Sequence, residues 1–164
     1  MLNDQLEQIY SKYYREVFLY AFSLCQNQQQ ADDLTSETFF KALLSLDEGT
    51  PYIKYWLFRV CKNLYLDSAR KKQKYATPDS LATIPSNKAD PLDQIIENEQ
   101  NKLIYTQIMK LRPSYREIII LFYYGGLSLK EIASTTGLTE GAAKVLLHRA
   151  RKKLKAILED KNEF

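Results

Sequence analysis

The chain has 164 residues and a net charge of +3; 45% of it is hydrophobic and 26% charged, a balance that folds and allows one ordinary domain or two small ones. Five glycines and five prolines are too few for the turns of a sandwich or barrel, so an all-α fold is expected. Two cysteines, Cys25 and Cys61, and one histidine, His148, are too few for a structural zinc site and weaken any hydrolase reading; no catalytic residue, metal or cofactor is expected. No stretch approaches the roughly 18 apolar residues of a membrane span, and Met1-Leu2-Asn3-Asp4 lacks the basic start of a secretion signal. A soluble cytoplasmic protein without membrane insertion is expected.

Apolar residues from Leu2 to Cys25 recur at intervals of three and four, the pattern of one helix face, with Asn3 or Asp4 as its cap. Asn27 to Gln30 interrupt it. A second helix is expected from Ala31 to Leu46, burying Leu34, Phe39, Leu43 and Leu46, its acidic first turn facing the positive end of the helix dipole. Asp47 to Pro51 reads as a turn. A third helix follows from Tyr52 to Lys74, with Ile53, Trp56, Leu57, Val60, Cys61, Leu64 and Ala69 spaced for burial. Both cysteines lie on apolar faces and read as packing residues.

Residues 76–90 hold Pro78, Pro85 and small polar residues without a period, which predicts a flexible linker between two small helical domains, 1–75 and 91–164. Asp90-Pro91 is a helix start, and the apolar period continues to Arg112-Pro113. Ser114-x-x-Glu117 reads as a capping box opening a helix through the apolar run Ile118 to Tyr124. Ser128-x-x-Glu131 is a second box, starting a short helix to Thr135. Thr136-Gly137-Leu138 is the turn, and Thr139 caps a helix to about Leu158. Ile132, Leu138, Ala143, Leu146, Leu147, Ala150 and Leu154 form the expected shared core. This is helix-turn-helix spacing, in which the second helix enters the DNA major groove. Its outward side carries Glu140, Lys144, Val145, His148, Arg149, Arg151 and Lys152.

Charge is segregated. Asp32, Asp33, Glu37, Asp47 and Glu48 dominate the second helix and its turn. Lys54, Arg59, Lys62, Arg70, Lys71, Lys72 and Lys74 crowd the third, and a second basic cluster occupies the last helix. Clustered Lys and Arg neutralise phosphates, so two separate polyanion-binding faces are expected, although solvated helix faces give the same pattern.

Four stretches in chain order resemble bacterial RNA polymerase sigma factors of the extracytoplasmic-function class: Ala31-Asp32-Asp33-Leu34-Thr35-Ser36-Glu37-Thr38-Phe39; Tyr55 to Asn63 with Asp67 and Arg70-Lys71; Leu111-Arg112-Pro113 with Arg116-Glu117 and Ile118 to Tyr124; and Gly126 to Leu154. The resemblance implies promoter selection for core RNA polymerase, with chemistry left to the polymerase and an anti-sigma factor as a further partner. It assigns polymerase binding to Asp33, Ser36, Glu37 and Phe40. Minus-ten DNA falls to Lys54, Tyr55, Arg59, Lys62, Asn63, Arg70 and Lys71, and minus-thirty-five DNA to Thr139, Lys144, Val145, His148, Arg149 and Arg151. It also places Asn63, with the turn from Asp47 to Tyr55, at a pocket for a flipped base. Tyr52 and Tyr55 are candidate stacking rings, with core packing as the alternative for Tyr55, and Trp56 reads as a core residue. Ser36 stands where the family usually has glutamine. A stand-alone helix-turn-helix regulator explains Gly126 to Leu154 alone, and a helical adaptor for an acidic protein is a third reading.

Overall fold

The computed structural model describes residues 2–45, 52–75, 96 and 98–162. Their regular structure is entirely helical: α1 (Leu2–Cys25), α2 (Gln28–Ser45), α3 (Ile53–Tyr75), α4 (Glu99–Met109), α5 (Pro113–Ile119), α6 (Leu129–Thr136) and α7 (Glu140–Asn162). A π-helical turn, Ile120–Tyr124, extends α5. The chain divides into two compact units, Met1–Lys88 and Ala89–Phe164. The expected linker, the turn at 47–51, Leu46 and the Asp90-Pro91 helix start lie outside the described residues. Among the described residues no helix is long and apolar enough to cross a membrane.

In the first unit α1, α2 and α3 pack against one another. Five consecutive residues of α1, Val17 to Ala21, are buried, because a helix held between two others loses its solvent face. Tyr10, Tyr14, Phe18 and Phe22 form a row along α1, and Tyr10 meets Phe39 of α2 edge-on at 5.0 Å. Phe58 of α3, absent from the expected core, is fully buried with its ring 5.2 Å from that of Tyr20. A helix with neighbours on two sides buries more than the single stripe that periodicity picks out.

Two helix starts differ from expectation. α1 begins at Leu2, so Asn3 and Asp4 lie inside it rather than capping it. α2 begins at Gln28, not Ala31. The Asn27 side-chain oxygen accepts the Gln30 amide at 2.9 Å, and the Asn27 carbonyl accepts the Ala31 amide, so the polar residues read as a break are the cap and first turn. Asp32 and Asp33 therefore sit beyond the first turn, which holds no acid, and the dipole rationale for them fails. Leu34 and Phe39 are buried as expected, while Leu43 is only half-buried.

In the second unit α4 starts afresh at Asn98, whose side chain accepts the Gln100 amide at 2.8 Å; it does not run on unbroken from Asp90-Pro91. The expected box at Ser114 is not formed. Pro113 occupies the first helical position with Arg112 as the cap, and no side chain accepts a bond from the first turn. Proline suits that position because its φ is already helical and its missing amide hydrogen would have had no partner there. Ile118 to Leu121 are fully buried in a helix, as the flanking signals imply. The ladder then widens, with the Gly125 amide donating to the Ile120 carbonyl. A Cβ at Gly125 would stand 2.6 Å from the Leu121 carbonyl oxygen, so only glycine closes this turn. The Arg116 guanidinium is buried at the end of α4 and donates to the Met109 carbonyl.

Candidate nucleic-acid interface

On α2 the buried residues Ala31, Leu34, Thr35, Thr38, Phe39 and Ala42 define the inner face. The hydroxyls of Thr35 and Thr38 donate to carbonyls one turn back, each at 2.7 Å, which is how these polar side chains tolerate burial. Asp33, Glu37 and Phe40 follow at intervals of four and three on the outer face, with Ser36 exposed beside them. Phe40 is 59% exposed, and Leu44 one turn later is 70% exposed. Sequence reasoning missed Leu44, although its spacing from Phe40 signals it. Two carboxylates followed by two bare apolar groups form a surface that fits a protein better than a nucleic acid. Beside it lies a cavity of about 390 Å³ in which Asp33 and Glu37 share a rim with Lys72. Asp32 is held above the usual carboxylate range, by burial first and by neighbouring Asp33 second.

α3 separates its expected site residues. Tyr55, Arg59, Asn63 and Arg70 recur at helical intervals on the side opposite buried Leu57, Phe58 and Cys61. Arg59 donates to the Tyr55 hydroxyl at 3.1 Å, and Arg70 pairs with Asp67. Both Arg70 and Asp67 are exposed, so water and salt screen the pair and leave the guanidinium available to a stronger anion. Leu66, an exposed apolar side chain on the same side, was not expected. Lys62 and Lys71 lie on opposite flanks. Lys54 is half-buried on the far side of the helix and is not brought to this face. Trp56 is half-buried. Tyr52, just before α3, is 75% exposed and has a φ of 62°, a left-handed conformation that costs a bulky residue energy and tends to occur where function requires it.

The helix-turn-helix forms as its signals require. Ser128 and Glu131 exchange both bonds of the capping box, at 2.9 and 3.1 Å. Gly137 ends α6 with a φ of 78°, and the Thr139 hydroxyl accepts the Ala142 amide at 3.1 Å. Ile132, Ala133, Ala143, Leu147 and Ala150 are buried between the helices. Leu146 and Leu154 are half-buried, and Leu138 is 37% exposed, which removes it from the core. It sits in the turn, where no neighbouring helix covers it. Val145, His148, Arg149 and Lys152 are exposed on the side away from that core, and Val145 is 50% exposed. At ~100° per residue, Lys144 and Arg151 fall about a quarter-turn from the centre of this side. Here a thymine methyl could meet Val145, and the cations could meet guanine edges or phosphates.

Both cysteines are free thiols. Cys61 is fully buried, and burial pushes its thiol up to about 12. Cys25 is half-buried and donates to the Ala21 and Asn27 carbonyls.

Comparison with known proteins decides the family. The Sigma-70 region 2 family model matches residues 9–75, and the Sigma-70 region 4 model matches residues 101–154. The ECF RNA polymerase sigma factor SigM of Bacillus subtilis is 30% identical over 156 residues, covering 93% of this chain and 94% of the relative. This chain belongs to the ECF RNA polymerase sigma factors. SigW of the same organism is 29% identical, with 96% of this chain and 90% of that one aligned. Among solved structures, the sigma factor RpoE of Bartonella quintana, in complex with the anti-sigma factor NepR, superposes with a TM-score of 0.70 and 25% identity over 94% of this chain and 97% of that one. The sigma factor is all-α, with the helix-turn-helix as the C-terminal part of its region 4 match, and it acts in promoter-directed transcription initiation. The stand-alone regulator leaves region 2 without a role and finds no support.

Proposed function

We propose that this sigma factor grips core polymerase and two promoter elements through three separate helical faces. Asp33, Ser36, Glu37 and Phe40 on α2 dock on the polymerase. Tyr55, Arg59, Asn63 and Arg70, flanked by Lys62 and Lys71, take the minus-ten strand; Lys54 joins them only if its half-buried ammonium swings out. Thr139, Lys144, Val145, His148, Arg149 and Arg151 bind the minus-thirty-five duplex. The single observation that carries this reading is the pairing of two cationic, exposed helix faces on different units of one chain. Each alone is a phosphate-binding surface, and together they match two spaced elements.

Strand opening needs charge neutralisation and a seat for unstacked bases. Arg59 and Arg70 supply the first. Asn63, whose amide both donates and accepts, supplies hydrogen bonds for a base turned out of the duplex, and exposed Tyr52 and half-buried Tyr55 supply stacking. The division into domains 1–75 and 91–164, tethered by 76–90, allows each face to reach its own element. The protein performs no catalysis itself and works in the cytoplasm, where polymerase and promoter are. The NepR complex of the structural relative supports an anti-sigma factor as a further partner.

Replacing Asn63 with alanine tests the assignment. Permanganate reactivity at the minus-ten element should fall several-fold, while the variant still co-elutes with core polymerase. Equal loss of both would make Asn63 a fold residue and overturn its assignment.

A further inference from the structure

Arg151 and Tyr123 are 28 residues apart in sequence, yet the Arg151 Nε donates to the Tyr123 hydroxyl at 2.6 Å. The guanidinium carbon also sits 5.0 Å from the centre of the Phe122 ring and 5.3 Å from that of Tyr123. Tyr123 is 53% exposed, two residues after the fully buried stretch Ile118 to Leu121, with half-buried Phe122 and Tyr124 on either side. The π-helical turn accounts for this, since widening the ladder after Ile120 shifts every later side chain around the axis. Turns of this kind recur at functional positions, and this one presents two rings to the last helix.

We propose that Tyr123 is a positioning residue for promoter binding: with Phe122 it holds the Arg151 guanidinium so that its free edge meets a backbone phosphate of the minus-thirty-five duplex. This rests on the reading that α7 enters the major groove there. Three observations point to a phosphate rather than a base. Arg151 lies about a quarter-turn from the Val145 and Lys152 side of α7, which directs it to the wall of the groove. Lys144, two turns earlier, shares that flank and is exposed, so two cations line up along one strand. Of the five N–H donors of a guanidinium, one is spent on Tyr123. Among the described residues no carboxylate pairs with Arg151, which leaves the fork that suits a phosphate. The rings fix the plane of that fork in advance, which reduces the ordering needed on binding.

The test is a salt titration of minus-thirty-five duplex binding by holoenzyme reconstituted from core polymerase and the full chain, carrying Tyr123→Phe, Arg151→Ala, both, or Lys144→Ala with Arg149→Ala. Arg151→Ala should weaken binding about tenfold and flatten the salt slope by about one phosphate contact. Tyr123→Phe keeps the ring and should give about a threefold loss in the same direction. Adding it to Arg151→Ala should cost nothing more. If Lys144→Ala with Arg149→Ala weakens binding but Tyr123→Phe leaves affinity and slope unchanged, the positioning role is overturned and the groove reading stands. If both variants bind as the parent does, the groove reading falls as well. Additive losses from Tyr123 and Arg151, or a Tyr123→Phe loss matched by a lowered melting temperature at unchanged slope, would make the ring merely structural and overturn the proposal.

Discussion

The rings of Tyr20 on α1 and Phe58 on α3 lie 5.2 Å apart, both wholly shielded from solvent. This pair fastens the helix that carries Arg59, Asn63 and Arg70 to the rest of its unit. Phe58→Ala removes a ring from a closed core and is expected to cost about 3–5 kcal/mol. Asn63→Ala, five residues on and exposed, should stay within about 0.5 kcal/mol of the parent. Urea denaturation followed by circular dichroism measures both. Equal stability of the two variants would show that α3 is held by other contacts.

The helix-turn-helix was readable because its signals are local. Ser128 with Glu131, Gly137 and Thr139 each act within four residues of themselves, and each forms the bond its residue type predicts. Asn27 misled because asparagine both breaks and caps helices, and only the chain's path shows which. Ser114 misled because a capping pattern one residue after proline competes with proline itself, and proline set the start. Phe58, Tyr123 and the inward placement of Lys54 depend on which helices become neighbours, and no periodicity in a single segment carries that. The acidic and basic segregation marked α2, α3 and α7 as the charged helices; it did not predict which cations on α3 share a side.

Gln107 is 1% exposed, and neither its amide nitrogen nor its amide oxygen has a hydrogen-bond partner among the described residues. A buried, unsatisfied amide costs about 1–3 kcal/mol. Gln107→Leu, close in shape and free of polar atoms, should therefore raise the unfolding free energy by at least about 1 kcal/mol. A lower midpoint in the same urea titration would show that the amide is bonded in solution and would remove the argument.

Alkaline pH should destabilise the first unit through Cys61. Its thiol moves from an ordinary 9.0 to about 12 on folding, chiefly through burial. Above pH 9 the unfolded chain releases this proton while the folded chain keeps it, so the unfolded state gains. The stability present below pH 9 is lost as pH rises toward 12, at up to about 1.4 kcal/mol per pH unit. Denaturation at pH 7.5, 9 and 10.5 should show a shallower decline for Cys61→Ala than for the parent. Parallel declines would place the alkaline sensitivity elsewhere.

The division of labour between α3 and α7 is tested most directly by transcription from two templates, one fully duplex and one with the minus-ten element already unpaired. Reconstituted with core polymerase, Arg59→Ala with Asn63→Ala should fail on the duplex and recover on the pre-opened template. Lys144→Ala with Arg149→Ala should remain impaired on both. Equal rescue of the two pairs, or rescue of neither, would contradict the assignment of strand opening to α3 and duplex binding to α7.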